Sequence, residues 1–204
     1  MTTPPRRLGV FGGAFDPPHV AHVALARVAI EQLALDALWV IPTGQAWHKA
    51  RTLSPAEHRL NLVRLAFESV SKVIVDDRET RRDGPTYTID TLRELQAENP
   101  HADLFLIIGA DQARSLDQWH EWEEVVKSAT ICVAGREQSV SVSASSSDEF
   151  VPPLALKTRF VGLRMPFNPI SATAIRTRVA ECEPIGALVG EPVARYIAQH
   201  HLYL

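Results

Sequence analysis

Short apolar segments alternate with longer segments of helical periodicity along most of this 204-residue chain. Apolar runs of strand length occur at residues 8–11, 37–41, 72–75, 104–108 and 130–133. Between the first four lie residues 20–34, 55–69 and 86–98, whose apolar side chains recur at intervals of three and four, as on one face of a helix. This alternation predicts an α/β fold, a doubly wound, Rossmann-like parallel sheet with right-handed crossovers.

The remainder of the chain fits the same single fold. Residues 138–153 are rich in serine and end in two prolines, which indicates a surface loop or insertion rather than a linker. After it, residues 159–163 predict another strand, and residues 171–180 and 192–199 predict terminal helices. We therefore expect one domain over residues 1–204, with a helical C-terminal part from about residue 171.

Composition excludes several classes of protein. The chain is 46% apolar and 22% charged, as globular proteins are, and its net charge of -3 gives no general attraction to nucleic acid. No apolar run is long enough to cross a membrane, and no apolar signal segment follows Met1, so we expect a cytoplasmic protein. Cys132 and Cys182 lack metal-ligand spacing, so we expect two buried or half-buried thiols in a reducing compartment.

The segment from Gly9 to His22, GVFGGAFDPPHVAH, leads from the first strand into the first helix. Gly12 and Gly13 are expected to allow positive φ and close approach of a bulky ligand, since neither has a Cβ. In doubly wound sheets, ligands bind beyond the carboxyl ends of the strands, where this glycine pair lies.

Two histidines follow at the predicted start of the helix. Asp16 suits its N-cap, with proline in the first turn, although a chemical role for the carboxylate stays open. His19 and His22 are three residues apart and share a face, near the N–H groups that favour an anion. A polyphosphate is the expected ligand; a metal site and plain surface histidines are the alternatives, and no third metal ligand is evident.

A second segment, Ile170-Ser-Ala-Thr-Ala-Ile-Arg176, has the composition of another phosphate cradle. Ser171 can cap a helix whose first turn presents Thr173. Arg176, one turn further on, offers a planar guanidinium that suits phosphoryl oxygens.

Together, the early GGxFDPxHxxH pattern and the late ISxTxxR pattern resemble the nucleotidyltransferase superfamily. Nearly the whole chain is similar to the bacterial nicotinate mononucleotide adenylyltransferases within it. The segments that favour this subgroup are Trp47-His48-Lys49, residues 84–92, Gly109-Ala-Asp111, and Trp119 followed by Trp122. Two positions depart from the family pattern: Ala21 replaces a glycine, and Trp47 replaces a proline.

The resemblance implies transfer of AMP from ATP to nicotinate mononucleotide, with release of pyrophosphate. His19, His22 and Arg176 are its expected catalytic residues, the two histidines as donors to the α- and β-phosphates. Mg²⁺ is the expected cofactor, held mainly by ATP oxygens and water, with no protein metal site. No nucleic acid or membrane partner is expected, and the oligomeric state is not predicted.

The same resemblance implies two sets of binding residues. Those for ATP are Phe11, Gly12, Gly13, Phe15, His19, His22, Gly109, Asp111, Ile170, Ser171, Thr173 and Arg176. Those for nicotinate mononucleotide are Gly13, Ala14, His48, Lys49, Thr86, Tyr87, Trp119 and Arg136. Of the two tryptophans, Trp119 is expected to face the ligand and Trp122 to pack in the core.

Two other functions stay open. A pantetheine-phosphate adenylyltransferase shares both nucleotidyltransferase motifs, and a nucleotide-sensing protein could keep the binding face without turnover.

Residues 54–57, Ser-Pro-Ala-Glu, predict a capping box at the second helix. His58 and Arg59, just inside that helix, are interpreted as part of its polar face.

Overall fold

The computed structural model describes residues 7–44, 53–135, 158–166 and 169–204, in which strands and helices alternate. The strands are β1 (Arg7–Gly13), β2 (Ala37–Pro42), β3 (Val73–Val75), β4 (Asp103–Gly109), β5 (Thr130–Gly135) and β6 (Phe160–Arg164). The α-helices are α1 (Val20–Gln32), α2 (Ala56–Phe67), α3 (Thr88–Glu98), α4 (Ala110–Arg114), α5 (Trp122–Ser128), α6 (Ala172–Ala180), α7 (Gly186–Val189) and α8 (Glu191–Gln199). Short 3₁₀ turns occur at Arg78–Arg81 and Leu116–Gln118.

The strands form one six-stranded sheet in the order β3-β2-β1-β4-β5-β6. Strand β4 pairs in parallel with both β1 and β5, and β5 pairs in parallel with β6. The strand order reverses between β1 and β4, which is the switch point where sheets of this kind bind ligands. The predicted doubly wound α/β fold is confirmed.

The chain divides into two compact units. The first comprises Met1–Gly12, Val28–Trp39 and Tyr87–Phe167, and the second comprises Gly13–Arg27, Val40–Thr86 and Asn168–Leu204. The single domain expected over residues 1–204 stays a prediction.

The core of the first unit lies on the sheet. Leu104, Leu106 and Ile107 of β4 are almost completely buried, as expected for a central strand covered on both faces. Edge strand β6 is bound by a side chain: the Gln32 carboxamide donates to the Arg164 carbonyl (2.7 Å) and accepts from its N–H (3.0 Å). The carboxamide thus satisfies main-chain groups that an edge strand leaves exposed.

The core of the second unit is helical. Leu62 of α2 and Ile175 of α6 are completely buried, and they pack with apolar side chains of α7 and α8. The other buried members of this cluster are Ile185, Val189, Val193 and Ile197. Half-buried Tyr196 and Tyr203 pack against the same cluster.

Several predictions from the sequence need correction. Residues 72–75 were expected to be a buried strand, but β3 is an edge strand and Ile74 is 43% exposed. Cys132 is buried, whereas Cys182 is exposed rather than buried or half-buried. Helices α4, α5 and α7 were not predicted, because four to seven residues are too few to establish a helical period.

The predicted capping box before α2 is also wrong. Pro55 occupies the N-cap position, and no side chain caps the helix. The main chain of Ser54 is engaged elsewhere: its N–H donates to the Asp16 carboxylate (3.2 Å), and its carbonyl accepts from Arg59 (2.9 Å). Tertiary partners have therefore replaced the local cap.

Gly44, just after β2, provides a test of close packing in the second unit. A Cβ at this position would lie 2.1 Å from the Glu79 carbonyl oxygen and 2.8 Å from Thr86 Oγ1. Because the nearer atom is main chain, we expect Gly44→Ala to lower the free energy of unfolding by roughly 2 kcal/mol or more in urea titrations. Gly12→Ala is the matched control, since a Cβ there meets nothing within 4 Å. Equal stability of the two variants would contradict this packing.

Candidate active site

The turn between β1 and α1 differs from its prediction in two ways. Neither Gly12 nor Gly13 has positive φ; Phe15 has it instead, at 47°. Helix α1 begins at Val20, and the His19 carbonyl accepts from the His22 N–H (2.9 Å), so His19 takes the place expected for Asp16. Asp16 is therefore not the helix cap. The absence of a side chain still matters at Gly13, because a Cβ atom there would lie only 3.1 Å from the Phe15 ring.

The rings of His19 and His22 stack on each other, with centroids 3.7 Å apart. The His19 main-chain N–H donates to Nδ1 of His22 (3.1 Å), so Nδ1 of His22 carries no proton. The proton of a neutral His22 ring then lies on Nε2, so that nitrogen is a donor. The Phe15 ring supports His22 edge-on, with centroids 5.1 Å apart.

His19 is the more buried of the two histidines, with 7% of its surface exposed. Burial lowers the pKa of its imidazole from 6.5 to about 4, so the ring is neutral at pH 7. Its Nδ1 is buried and has no hydrogen-bond partner among the described residues. A buried polar atom without a partner is unfavourable, and a ligand group could satisfy it.

Helix α6 brings the late sequence motif to the same turn. The Ser171 side chain caps the helix by accepting from the Ala174 N–H (3.2 Å), as predicted. Nη1 of Arg176 donates to the Asp16 carbonyl (2.7 Å), and Nη2 donates to the Thr173 hydroxyl (3.1 Å). Arg176 therefore contacts the main chain three residues before His19, although the two motifs are far apart in sequence. Ile170 is half-buried next to this cap.

Asp16 is buried, with 2% of its surface exposed, and both carboxylate oxygens accept hydrogen bonds. The Tyr203 hydroxyl donates to Oδ1 (2.7 Å), and the Ser54 N–H donates to Oδ2 (3.2 Å). Nothing in the sequence pattern pointed to Tyr203, which is 187 positions away.

Arg59 is buried, not part of a polar face as expected; 2% of its surface is exposed. Its guanidinium donates to four carbonyl oxygens: those of Ser54 (2.9 Å), Ala14 (3.1 Å), Thr43 (2.7 Å) and Gly44 (3.3 Å). The sequence did contain a signal for this. Arg59 lies three and four positions before Leu62 and Val63, which are completely buried, and so shares their helix face.

Thr86 lies beside Gly44 in the second unit, and its Oγ1 is buried without a hydrogen-bond partner in the described part of the chain. Thr86, one of the residues predicted to bind the acceptor, therefore has a buried hydroxyl whose hydrogen bonding is not satisfied by the described residues. Gly13 and Ala14 belong to the same unit and are half-buried.

In the first unit, Gly12 and Gly109 lie at the carboxyl ends of neighbouring strands β1 and β4. A Cβ at either glycine would meet nothing within 4 Å, so both strand ends border open space. Phe11, just before Gly12, is buried. The Asp111 side chain is 91% exposed and forms an ion pair with Arg114.

The remaining aromatic candidates of the first unit lie at the ends of short elements: Trp119 follows the 3₁₀ turn Leu116–Gln118, and Trp122 begins α5. Tyr87 is the N-cap residue of α3, and its ring is tilted against the His120 ring with centroids 4.2 Å apart. Trp119 and Trp122 are both half-buried, so Trp122 is not the core residue that was expected. They do not share one helix either, because Glu121 between them has φ 50°. That Trp119 faces the ligand stays a prediction.

Some predicted residues lie outside the described residues: His48, Lys49, Arg136 and the whole of the serine-rich stretch 138–153. In the described ranges, no three His, Cys, Asp or Glu side chains come together as a metal site. Those ranges also contain no helix with the length and apolar character needed to cross a membrane.

The lowered pKa of His19 predicts how stability depends on pH. The folded pKa is about 4 and the ordinary value is 6.5, so stability is greatest above pH 6.5 and is lost as the pH falls toward 4. We expect unfolding free energy to drop by on the order of 1–2 kcal/mol between pH 7.5 and 5 because of this residue. Urea titrations of His19→Asn should show a correspondingly shallower dependence. His101→Asn, at an exposed position, is the control and should keep the wild-type pH dependence of the unfolding free energy. A wild-type pH dependence in His19→Asn would contradict the lowered pKa of His19.

The chain matches known proteins over nearly its full length. Residues 10–178 match the cytidylyltransferase-like family. A probable nicotinate-nucleotide adenylyltransferase of Albidiferax ferrireducens is 54% identical, over 97% of this chain and 98% of that protein. One from Methylibium petroleiphilum is 44% identical, over 98% and 94%.

The fold is also similar to that of a solved protein. Plasmodium falciparum nicotinic acid mononucleotide adenylyltransferase, complexed with NaAD, has a TM-score of 0.75 and 19% identity over 97% of each chain. The chain therefore belongs to the cytidylyltransferase-like family and, within it, to the family of bacterial nicotinate-nucleotide adenylyltransferases.

Proposed function

We propose that this protein transfers the AMP moiety of ATP to nicotinate mononucleotide. The 5′-phosphate oxygen of the acceptor forms a bond to the α-phosphorus of ATP, and the bond from that phosphorus to the bridging oxygen breaks. The products are nicotinate adenine dinucleotide and pyrophosphate. The observation that carries the proposal is the grouping of His19, His22 and Arg176 in one unit, in a chain 54% identical to a probable enzyme of this kind.

Adenylyl transfer requires that the substrates be positioned and that charge be stabilised; it does not require a general base. A phosphate monoester is already ionised near pH 7, so the nucleophile needs no deprotonation. The barrier comes from aligning two polyanions and from negative charge on the oxygens around the α-phosphorus. Preorganised donors reduce that barrier without a covalent intermediate.

Each of the three groups has a distinct part in this proposal. His22 donates from Nε2 to an oxygen of the α-phosphate, since its Nδ1 accepts from the His19 main chain. His19, neutral because it is buried, donates to the neighbouring β-phosphate. Arg176 carries a permanent positive charge and, with the hydroxyls of Ser171 and Thr173, binds the leaving pyrophosphate.

For the acceptor, we propose that Thr86 and Tyr87 receive the nicotinate carboxylate and that Trp119 stacks on the pyridine ring. Thr86 supports this because its buried Oγ1 needs a partner, and an exchangeable hydroxyl proton suits a carboxylate. The roles of Gly109 and Asp111 in binding the ATP ribose, and those of His48, Lys49 and Arg136, stay predictions.

An adenylyltransferase of this kind uses a divalent metal, and we propose Mg²⁺. We propose that its ligands are mainly ATP phosphate oxygens and water, because magnesium usually keeps several waters and takes few protein ligands. When bound, it neutralises part of the phosphate charge. The protein's own part is to orient the phosphates through the histidines and Arg176.

Pyrophosphate release tests the proposed function and its two alternatives. With ATP, we expect turnover with nicotinate mononucleotide, at least tenfold lower kcat/KM with the amide form, and none with phosphopantetheine. The amide presents N–H donors where the carboxylate accepts, and an unpaired buried polar group costs about 1–3 kcal/mol. Turnover with phosphopantetheine alone, or ATP binding without turnover on any acceptor, would replace the proposal with one of the alternatives.

His22→Ala tests the phosphate-donor role. We expect kcat to fall roughly a hundred- to a thousandfold, since one preorganised donor contributes about 2.7–4 kcal/mol in comparable sites. ATP binding without acceptor should weaken much less, and His22→Asn should be intermediate, because its amide still donates. His101→Ala, at an exposed position of the first unit, is the control for loss of a histidine. Near-normal turnover of His22→Ala, or activity restored by zinc in place of magnesium, would contradict the role.

A further inference from the structure

We propose that Tyr203 is a positioning residue for adenylyl transfer, which acts through Asp16 on the turn that carries His19. The inference rests on the proposed function, because the groups it positions are those assigned to the phosphates. It adds a residue outside both nucleotidyltransferase motifs.

The hydrogen bond between Tyr203 and Asp16 joins a half-buried phenol to a buried carboxylate. The Tyr203 hydroxyl lies 2.7 Å from Oδ1 of Asp16, a carboxylate in a residue with 2% of its surface exposed. Burial raises the pKa of the Tyr203 phenol, and the neighbouring Asp16 carboxylate raises it further. The phenol therefore stays protonated at physiological pH, and the hydroxyl is the donor in this bond.

The turn that presents Tyr203 is itself well held. It follows α8, where the Leu202 N–H donates to the Ile197 carbonyl (3.1 Å). Ile197 is buried in the helical core of the second unit, and the Tyr203 ring packs against that core. The hydroxyl is therefore a rigid anchor, and the Asp16 turn is the part that it restrains.

Asp16 is joined to each of the three groups assigned to the phosphates. Its carbonyl accepts from Arg176 (2.7 Å), and His19 follows three residues later. Phe15, its neighbour in sequence, supports the His22 ring. Loss of this donor removes one of the hydrogen bonds that fix the buried Asp16 carboxylate, so we expect the turn to shift or admit water. A shift of about 1 Å in positioning groups lowers phosphoryl-transfer rates strongly.

Tyr203→Phe and Tyr196→Phe form a matched pair for the test. Both phenol rings pack against the same helical core. The Tyr196 hydroxyl, however, contacts Nδ1 of His58 (3.0 Å) and the carboxamide of Asn61 (3.1 Å), not the Asp16 turn. Each variant thus loses one phenol hydroxyl, but only Tyr203→Phe removes a hydrogen bond to Asp16.

We expect kcat of Tyr203→Phe to fall on the order of tenfold below both wild type and Tyr196→Phe, with the KM for ATP changed less than about threefold. Thermal denaturation should show similar stability losses in the two variants. Asp16→Asn combined with Tyr203→Phe should lower kcat no further than the more damaged single variant, since both act through one bond. A kcat of Tyr203→Phe equal to that of Tyr196→Phe would overturn the inference.

Hydrogen exchange provides a second readout that needs no substrate. We expect faster exchange of the main-chain amides of residues 14–16 and of His19 in Tyr203→Phe than in Tyr196→Phe, in protein without nucleotide; residues 17 and 18 are prolines and carry no amide hydrogen. Unchanged protection there would overturn the inference even if kcat fell. This measurement separates the two proposals: absence of turnover with nicotinate mononucleotide in the wild type would reject the proposed function, while exchange still decides whether Tyr203 restrains the turn.

Discussion

The second unit depends on one buried cation. The Arg59 guanidinium donates hydrogen bonds to carbonyl oxygens of the turn after β1, of the residues after β2 and of the residue before Pro55. Arg59 itself has almost no exposure to water. A buried charge is costly unless it is hydrogen-bonded and close to opposite charge. Burial lowers the pKa of Arg59, and its partners offset part of this cost. Four carbonyls accept from it, and the negative charges of Asp16 and Glu79 stabilise it. Segments that are distant in sequence are thereby joined at one point.

Asp16 extends this arrangement to the proposed phosphate groups. Its carboxylate joins Ser54 to Tyr203, and its carbonyl accepts from Arg176, so one residue links four parts of the second unit. A carboxylate next to a phosphate site would repel the ligand if it faced that site. Here both oxygens are occupied by donors and the residue is buried, which leaves the histidine rings and Arg176 as the groups suited to an anion.

Most of the fold could be predicted from the sequence, because it depends on periodicity. Strands β1, β2, β4 and β5 and helices α1, α2, α3, α6 and α8 were all located within about three residues, since their apolar patterns are local and repeat. The two wrong helix caps share a cause. Ser54 looks like a cap and Asp16 looks like another, yet each is bound by residues far away in sequence, and such partners override a local preference. Arg59 was misassigned because charge usually marks a helix's solvent face.

The sequence by itself determined the order of strands and helices, the family, and which histidines, hydroxyls and arginine carry the proposed chemistry. These follow from local spacing, which is present in the chain before it folds. Only the tertiary structure decided how the groups are fixed: the proton position on His22, the neutral state of His19, the burial of Arg59 and the Tyr203 bond to Asp16. Each of these depends on desolvation or on a contact across many positions of sequence, and such effects exist only once the chain has packed.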